Sequence, residues 1–312
     1  MLFEENNPFI QIHDKHELHS LYQDTFSHID PQKLKLIIQA ILKKEPYNLT
    51  VWLKLARLYS ELDQDEYSIL CYKHVLELDK TNLEALLNLA ILCLNELNTV
   101  DSMIYLKNWV CCHPVYSNYK KDCKLILNEL PIKKHEVECE DFCEKYKKVD
   151  NLSNAYIQEM YCLIEKIYKD HPQELNILIS LGLCSYAADC KEKSIEIFRM
   201  ASEGNPKDHI VLNIYGSTLL SAGKIEEAIL IFRQALILNP KYAKCWTNLG
   251  ICHFQKAEYK EAINCFVKAL SVNDQIEHVW LYLTKCFKEN ENLLDLIDEK
   301  NLSEIIKHFE TM

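Results

Sequence analysis

Large and small apolar residues recur along this chain at two spacings, one inside each predicted helix and one between helices. From residue 175 to residue 276 the apolar positions fall three or four residues apart, which is the spacing of one face of an α-helix. The same residue types then return every 34 residues. The recurring sets are Leu212, Trp246 and Trp280; Gly182, Gly216 and Gly250; Phe198, Phe232 and Phe266; Ala201, Ala235 and Ala269; and Pro172, Pro206 and Pro240. This period predicts a tandem array of helical hairpins.

A single repeat shows why the pattern specifies two packed helices. It reads Trp246-x-x-Leu249-Gly250-x-x-His253, then Ala262-x-x-x-Phe266. The small residues let the two helices approach closely, and the large residues fill the space between them. The proline after each second helix cannot continue that helix, so it places the turn into the next repeat. This is the pattern of the tetratricopeptide repeat, with His253 in place of the usual aromatic residue.

Counting in steps of 34 residues from the clear repeats predicts the organisation of the whole chain. Residues 1–116 hold an N-terminal arm and a first triplet of repeats, and residues 175–276 hold a second triplet. Register is lost between them, so we expect residues 117–174 to form a connector with a degenerate fourth repeat. Residues 277–312 are expected to form a C-terminal helical cap. The predicted fold class is all-α, a right-handed superhelix of about seven tetratricopeptide repeats including the degenerate one.

Composition narrows the class of protein. The 312 residues include only 5 Gly and 8 Pro and are 48% hydrophobic, which is typical of helices joined by short turns. The net charge of −11 argues against nucleic acid as a partner, because phosphate-binding surfaces are basic. No apolar run approaches the roughly 20 residues of a membrane span, so no direct membrane insertion is expected. The 14 cysteines and the lack of signal-peptide features indicate reduced thiols in the cytosol.

The chain has no motif typical of catalysis or of cofactor binding. It has neither a Gly-rich phosphate loop nor a nucleophile motif, so we predict that it is not an enzyme and has no cofactor. His135, Cys139 and Cys143 have helical spacing, and Cys111-Cys112-His113 precedes them. Zinc needs four converging ligands, and cysteine is frequent throughout the chain, so no metal site is predicted.

Function is therefore expected from side chains on the concave groove that the first helices of such arrays form. Asparagine is a mediocre helix former, yet Asn213 and Asn248 occupy groove positions on adjacent first helices. An amide offers a donor and an acceptor, which suits an extended backbone or a terminal carboxylate. The same residues are also compatible with an ordinary solvated helix face. The candidate peptide-binding residues are Asn95, Asn213, Lys244, Asn248, Gln255 and Glu61.

The non-repeating parts of the chain carry a more specific resemblance. The start Leu2-Phe3-Glu4-Glu5-Asn6-Asn7-Pro8-Phe9, the segment Leu106-Lys107-Asn108-Trp109-Val110 and the tail from Trp280 to Phe309 are its main parts. Together with the repeats, they resemble the tetratricopeptide domain of the type-1 peroxisomal targeting signal receptors. The resemblance implies an import receptor domain that binds C-terminal Ser-Lys-Leu-type signals of cargo proteins. It also implies a cytoplasmic protein that cycles to the peroxisomal membrane.

The resemblance also assigns roles to residues. Asn95, Asn213 and Asn248 match family asparagines that bind the backbone and carboxylate of the signal. Lys244 stands where the family has arginine, and Gln255 stands where it has asparagine.

Three further positions depart from the family pattern. Ile214 replaces a lysine, while Ser221 and Leu62 each replace an asparagine. Hydrogen bonds to a charged group are worth about 1.5–3 kcal/mol each, so these losses are expected to weaken binding or to change the preferred signal.

The full receptors of that family are expected to carry N-terminal Trp-x-x-x-Phe/Tyr motifs for peroxisomal docking proteins. Every tryptophan here lies within a repeat, and none has Phe or Tyr four residues later. The chain is therefore expected to be either a fragment, with docking through a region outside this sequence, or a divergent relative that has lost the recycling machinery. A co-chaperone clamp is not predicted, since its basic and amide positions are occupied by His19, Gln23, Lys54, Glu84 and Asn88. The alternative that stays open is a scaffold or adaptor that binds other C-terminal peptides in the same groove.

Overall fold

The structure is a computed structural model that describes residues 30–122 and 153–287, together with positions 4, 7–12, 14, 16–18, 20, 302 and 305. The regular structure of these residues is helical, which confirms the predicted all-α class. The helices are α1 (Pro31–Lys44), α2 (Leu49–Glu61), α3 (Asp65–Leu78), α4 (Leu83–Asn95), α5 (Thr99–Cys112), α6 (Ser153–Asp170), α7 (Leu175–Ala187), α8 (Lys191–Gly204), α9 (His209–Ser221), α10 (Ile225–Leu238), α11 (Ala243–Gln255), α12 (Tyr259–Val272) and α13 (Glu277–Cys286). Short 3-10 turns occupy Pro8–Gln11 and Ser117–Asp122.

The residues form two compact units. One unit comprises residues 75–206, and the other joins residues 1–74 to residues 207–312. In the first unit α4 packs on α5 and α7 packs on α8, while α6 packs between α5 and α7. The buried face of α6 carries Met160, Leu163, Ile164 and Ile167. The predicted boundaries at residues 116, 174 and 276 rest on repeat register alone and stay a prediction.

The second unit contains the repeats in which the sequence period is clearest. Here α9 packs on α10, and α11 packs on α12. Ile305 is fully buried in the same apolar cluster as Phe266, Trp280 and Leu283. Near the other end of the sequence, Asn7 Nδ2 donates to the carbonyl of Leu36 at 2.7 Å, so residue 7 lies against α1.

Each clear repeat in this unit depends on a glycine that faces an aromatic ring. A Cβ added at Gly216 would lie 2.6 Å from the ring of Phe232, and one at Gly250 would lie 2.5 Å from the ring of Phe266. Both rings are fully buried and have no space to withdraw. The recurring Gly and Phe positions of the sequence are therefore the two sides of one close contact between the helices of a hairpin.

The turns also repeat. Within each hairpin the link between helices passes through one residue of positive φ, at Asp63, Leu97, Asp189, Gly223 and Ala257. Asp63 and Leu97 are 34 residues apart, Asp189, Gly223 and Ala257 follow one another at the same interval, and Gly223 is the only glycine among the five. Since left-handed backbone is unfavourable for the other residue types, the packing of the paired helices must impose it.

Indole hydrogen bonds tie three first helices to the turns that precede them. Trp246 Nε1 donates to the carbonyl of Pro240 at 2.9 Å, and Trp280 Nε1 donates to that of Asp274 at 2.9 Å. Trp52 makes the corresponding bond to Pro46 at 2.7 Å. Among the helices that the structure describes, none is both long and apolar enough to cross a membrane.

Replacing Gly216 by alanine should destabilise the unit formed by residues 1–74 and 207–312. The new methyl group would overlap the ring of Phe232, and such overpacking costs about 1–3 kcal/mol, against up to about 1 kcal/mol gained in helix propensity. We expect a lower urea midpoint by circular dichroism. Gly204→Ala is the matched control, because nothing lies within 4 Å of its added Cβ. An equal midpoint in the two variants would contradict the close-contact account.

Candidate functional site

The predicted asparagine pair is a direct contact. Asn248 on α11 donates from Nδ2 to Oδ1 of Asn213 on α9 at 3.1 Å and to Oγ of Ser217 at 3.2 Å. Asn213 is 4% exposed, while Asn248 and Ser217 are half-buried. Both N–H groups of Asn248 are thus used within the protein. The pair still offers the Oδ1 acceptor of Asn248 and the Nδ2 donor of Asn213.

Ser217 is a residue of this site that sequence reasoning missed. It lies one helical turn after Asn213 on α9, so both side chains are on the same face of the helix. Its hydroxyl accepts from Asn248 and thereby fixes which side of that amide presents oxygen. The spacing of four residues from Asn213 was the available signal.

Lys244 lies in the first turn of α11 and forms an ion pair with Asp65, the first residue of α3. The two side chains are only 14% and 10% exposed. The cation that the sequence predicted for a ligand carboxylate therefore already has an internal carboxylate as its partner.

Asp65 belongs to a short acidic segment, residues 61–65, which we call the acidic turn. Glu61 lies 3.6 Å from Nε2 of His209, and His278 Nε2 donates to Oδ2 of Asp63 at 3.0 Å. His209, Lys244 and His278 all lie in the first turn of a first helix, on α9, α11 and α13. The carboxylates are thus close to three helix N-termini, which favour negative charge.

Amide side chains fix the position of the acidic turn further. Asn273 Nδ2 donates to the carbonyl of Leu62 at 2.8 Å, and Asn239 Nδ2 donates to Oε2 of Glu61 at 3.4 Å. The Leu62 side chain is fully buried. Leu62 therefore packs inside the protein instead of facing a ligand.

The pair of Asp63 and His278 changes the pKa of both groups. Burial alone would raise the pKa of Asp63, but the hydrogen bond from His278 and the charges of Lys244 and His278 outweigh it and hold that pKa below its usual value. Burial alone would lower the pKa of His278, but the hydrogen bond and charge of Asp63 outweigh it and raise that pKa above the usual 6.5. The pair therefore favours the charged form of both partners.

Two other predicted binding residues are exposed at the ends of their helices. Gln255 is exposed at the C-terminal end of α11, and Asn95 is exposed at the end of α4, in the unit of residues 75–206. Ile214 is half-buried beside Asn213, and the exposed Ser221 donates its hydroxyl hydrogen to the carbonyl of Thr218 at 2.9 Å. The cysteines and histidine at 135–143 lie outside the described residues. In the residues that are described, no group of three or more His, Cys, Asp or Glu side chains is arranged to hold a metal ion.

A concavity lies between α10 and the end of α11. It has a volume of about 490 Å³ and is lined by charged residues of both signs. Lys256 forms ion pairs with Glu226 at 2.8 Å and with Glu258 at 2.5 Å across it. None of the predicted peptide-binding residues lines this concavity.

We compared the chain with models of protein families and with known proteins. Models described as tetratricopeptide repeat match residues 49–82, 211–242 and 243–275. The chain is 24% identical over 225 residues to the peroxisomal targeting signal receptor of Saccharomyces cerevisiae, covering 71% of this chain and 33% of the relative. It is 25% identical over 222 residues to the receptor of the same name from Pichia angusta, covering 71% and 36%.

A shorter match is closer in sequence. The peroxisome biogenesis protein 5 of Arabidopsis thaliana is 36% identical over 81 residues, which is 26% of this chain and 11% of the relative. The chain contains tetratricopeptide repeats and is similar to peroxisomal targeting signal receptors. It spans about a third of the length of the two yeast receptors (33% and 36%). In this receptor-related domain, the acidic turn and the asparagine pair belong to the same compact unit.

The sequence could have pointed to the acidic turn. Three basic residues, His209, Lys244 and His278, recur at nearly the repeat interval, and Glu61, Asp63 and Asp65 alternate along one short segment. Their pairing joins residues 179 and 215 positions apart, as for Lys244 with Asp65 and His278 with Asp63. Local periodicity does not show which distant segments meet.

The ion pair of His278 with Asp63 should make the stability of this unit depend on pH. Because the folded-state pKa of His278 is raised above 6.5, its contribution is complete below about pH 6.5 and is lost as the pH rises through the raised value. Wild-type protein should therefore lose more urea stability between about pH 6 and about pH 8 than His278→Gln does. His16→Gln, which changes an exposed histidine, is the control and should follow the wild type. Parallel profiles for His278→Gln and wild type would refute the assignment.

Proposed function

We propose that this domain binds C-terminal targeting signals of the Ser-Lys-Leu type and takes part in the import of cargo proteins into peroxisomes. The observation that carries the proposal is the contact between Asn213 and Asn248, which presents one donor and one acceptor on adjacent first helices. The relation to the peroxisomal targeting signal receptors supports the same role. Cargo would be bound in the cytosol and delivered to docking proteins at the peroxisomal membrane.

The amide pair suits the backbone of an extended peptide. Such a backbone presents N–H and C=O groups, and the pair can accept from the first at Asn248 Oδ1 and donate to the second at Asn213 Nδ2. Ser217 holds the Asn248 amide in the orientation that this requires. Little reorganisation is then needed on binding, which favours affinity. Gln255 is the further amide residue of this unit that is proposed to contact the peptide, and Lys244 is the proposed partner of its carboxylate.

One group of observations favours a second candidate function, a scaffold or adaptor that binds other C-terminal peptides. Lys244 is already paired with Asp65, and Leu62 is fully buried at a position where the resemblance implies an asparagine. A groove with fewer partners for a terminal carboxylate would depend more on contacts to the peptide backbone and side chains.

Replacing Asn248 by alanine should weaken binding of a fluorescent peptide that ends in Ser-Lys-Leu by about 10-fold or more. The variant removes the acceptor offered to the peptide and the bonds that orient Asn213, and loss of one such partner costs about 1–3 kcal/mol. Fluorescence anisotropy would measure the dissociation constant, and circular dichroism would check the fold.

Gln234→Ala, at an exposed position of the second helix α10, is the matched control and should bind as the wild type does. Equal affinity for Asn248→Ala and wild type would remove the asparagine pair from the binding site. If wild-type protein binds the free-acid peptide and its C-terminal amide equally well, the scaffold function is favoured over the receptor function.

A further inference from the structure

Lys244 and Asn248 are placed to contact the same bound peptide. The two residues are four apart on α11, so their side chains lie on the same face of the helix, one turn apart. A peptide whose backbone is held at Asn248 and Asn213 can therefore place its terminal carboxylate near the ammonium group of Lys244. This step rests on the proposed function.

Asp65 already forms an ion pair with the ammonium group of Lys244. Both side chains are nearly buried, with 14% and 10% of their surface exposed, so water screens the pair only weakly. The position of the Asp65 carboxylate is fixed by the turn that carries it as well as by its own side chain. Its turn is fixed by the hydrogen bond from Asn273 to Leu62 at 2.8 Å and by the contact of His278 with Asp63 at 3.0 Å.

A ligand carboxylate and the Asp65 carboxylate would compete for the positive charge of Lys244. The side-chain carboxylate of aspartate and the terminal carboxylate of a peptide are the same chemical group, and both satisfy a single ammonium in the same way. A ligand carboxylate that approached Lys244 while Asp65 stayed in place would also meet the negative charges of Glu61 and Asp63. At effective dielectric constants near a protein surface, like charges about 4 Å apart repel appreciably. Full engagement of Lys244 by the ligand therefore requires Asp65 to be displaced.

We propose that Asp65 is a specificity-determining residue, an internal carboxylate that competes with the terminal carboxylate of the ligand for Lys244. It lowers the affinity of the domain for peptides with a free terminal carboxylate relative to peptides that lack one. The acidic turn thus acts as an intramolecular competitor whose strength is set by how firmly its neighbours hold it.

The test compares Asp65→Asn with wild type, using a free-acid peptide ending in Ser-Lys-Leu and its C-terminal amide. We expect about 10-fold tighter binding of the free acid to Asp65→Asn and no change for the amide. Asp189→Asn is the matched control, because it removes the same charge at an exposed turn position whose positive φ asparagine tolerates. It should bind both peptides as wild type does.

A double variant identifies the cation. If the competition is for Lys244, adding Lys244→Met to Asp65→Asn should abolish the gain in free-acid affinity. Unchanged or weaker free-acid binding by Asp65→Asn, with wild-type binding intact, would overturn the proposal. If neither wild type nor Asp65→Asn binds the free acid, the proposed function itself fails, together with the inference that rests on it.

A second measurement covers the case in which Asp65→Asn does not fold. The chemical shift of the Asp65 side-chain carboxyl carbon can be followed by NMR in wild-type protein. Displacement from Lys244 by the free-acid peptide should change that chemical shift, whereas the amide should leave it unchanged. The same chemical shift with and without bound free-acid peptide would contradict the competition.

Discussion

The close contact between glycine on one helix and phenylalanine on the next determines how the second compact unit is built. Because the ring of Phe232 touches α9 at Gly216, and the ring of Phe266 touches α11 at Gly250, both hairpins have the same interhelical spacing. Because the two hairpins have the same spacing, equivalent residues of their first helices lie side by side. That is why Asn213 and Asn248, which are 35 residues apart, are within hydrogen-bonding distance. The candidate site is thus a consequence of the repeat packing.

Much of this could be predicted from the sequence, because the information is local. The recurrence of glycine, phenylalanine and proline predicted the helical hairpins, and the register predicted that Asn213 and Asn248 lie on adjacent first helices. The role of Ser217 was not predicted, since serine at a helix position is also compatible with a solvated surface. The ion pairs of the acidic turn could not be predicted from period alone. Asp63 and Asp65 meet His278 and Lys244 only because residues 61–74 pack against residues 207–312.

The acidic turn links stability to ligand binding through the same side chains. Its carboxylates lie at the N-termini of three helices and pair with His209, Lys244 and His278, so they help to hold residues 61–65 against the C-terminal repeats. A ligand that draws Lys244 away from Asp65 removes one of these pairs. Binding of a ligand carboxylate at Lys244 therefore breaks an internal ion pair. This coupling makes the affinity for the ligand depend on the residues of the five-residue acidic turn.

The most direct test of the account is to observe the asparagine pair while a peptide binds. Proton–nitrogen NMR resolves side-chain amide groups, and those of Asn213 and Asn248 can be assigned by substitution. On titration with a free-acid peptide ending in Ser-Lys-Leu, the account predicts that both amide signals shift and saturate together. The Asn88 amide, which donates to the carbonyl of Glu84 at 2.9 Å on α4, should not shift. Saturable binding that left the signals of Asn213 and Asn248 unchanged would contradict the account.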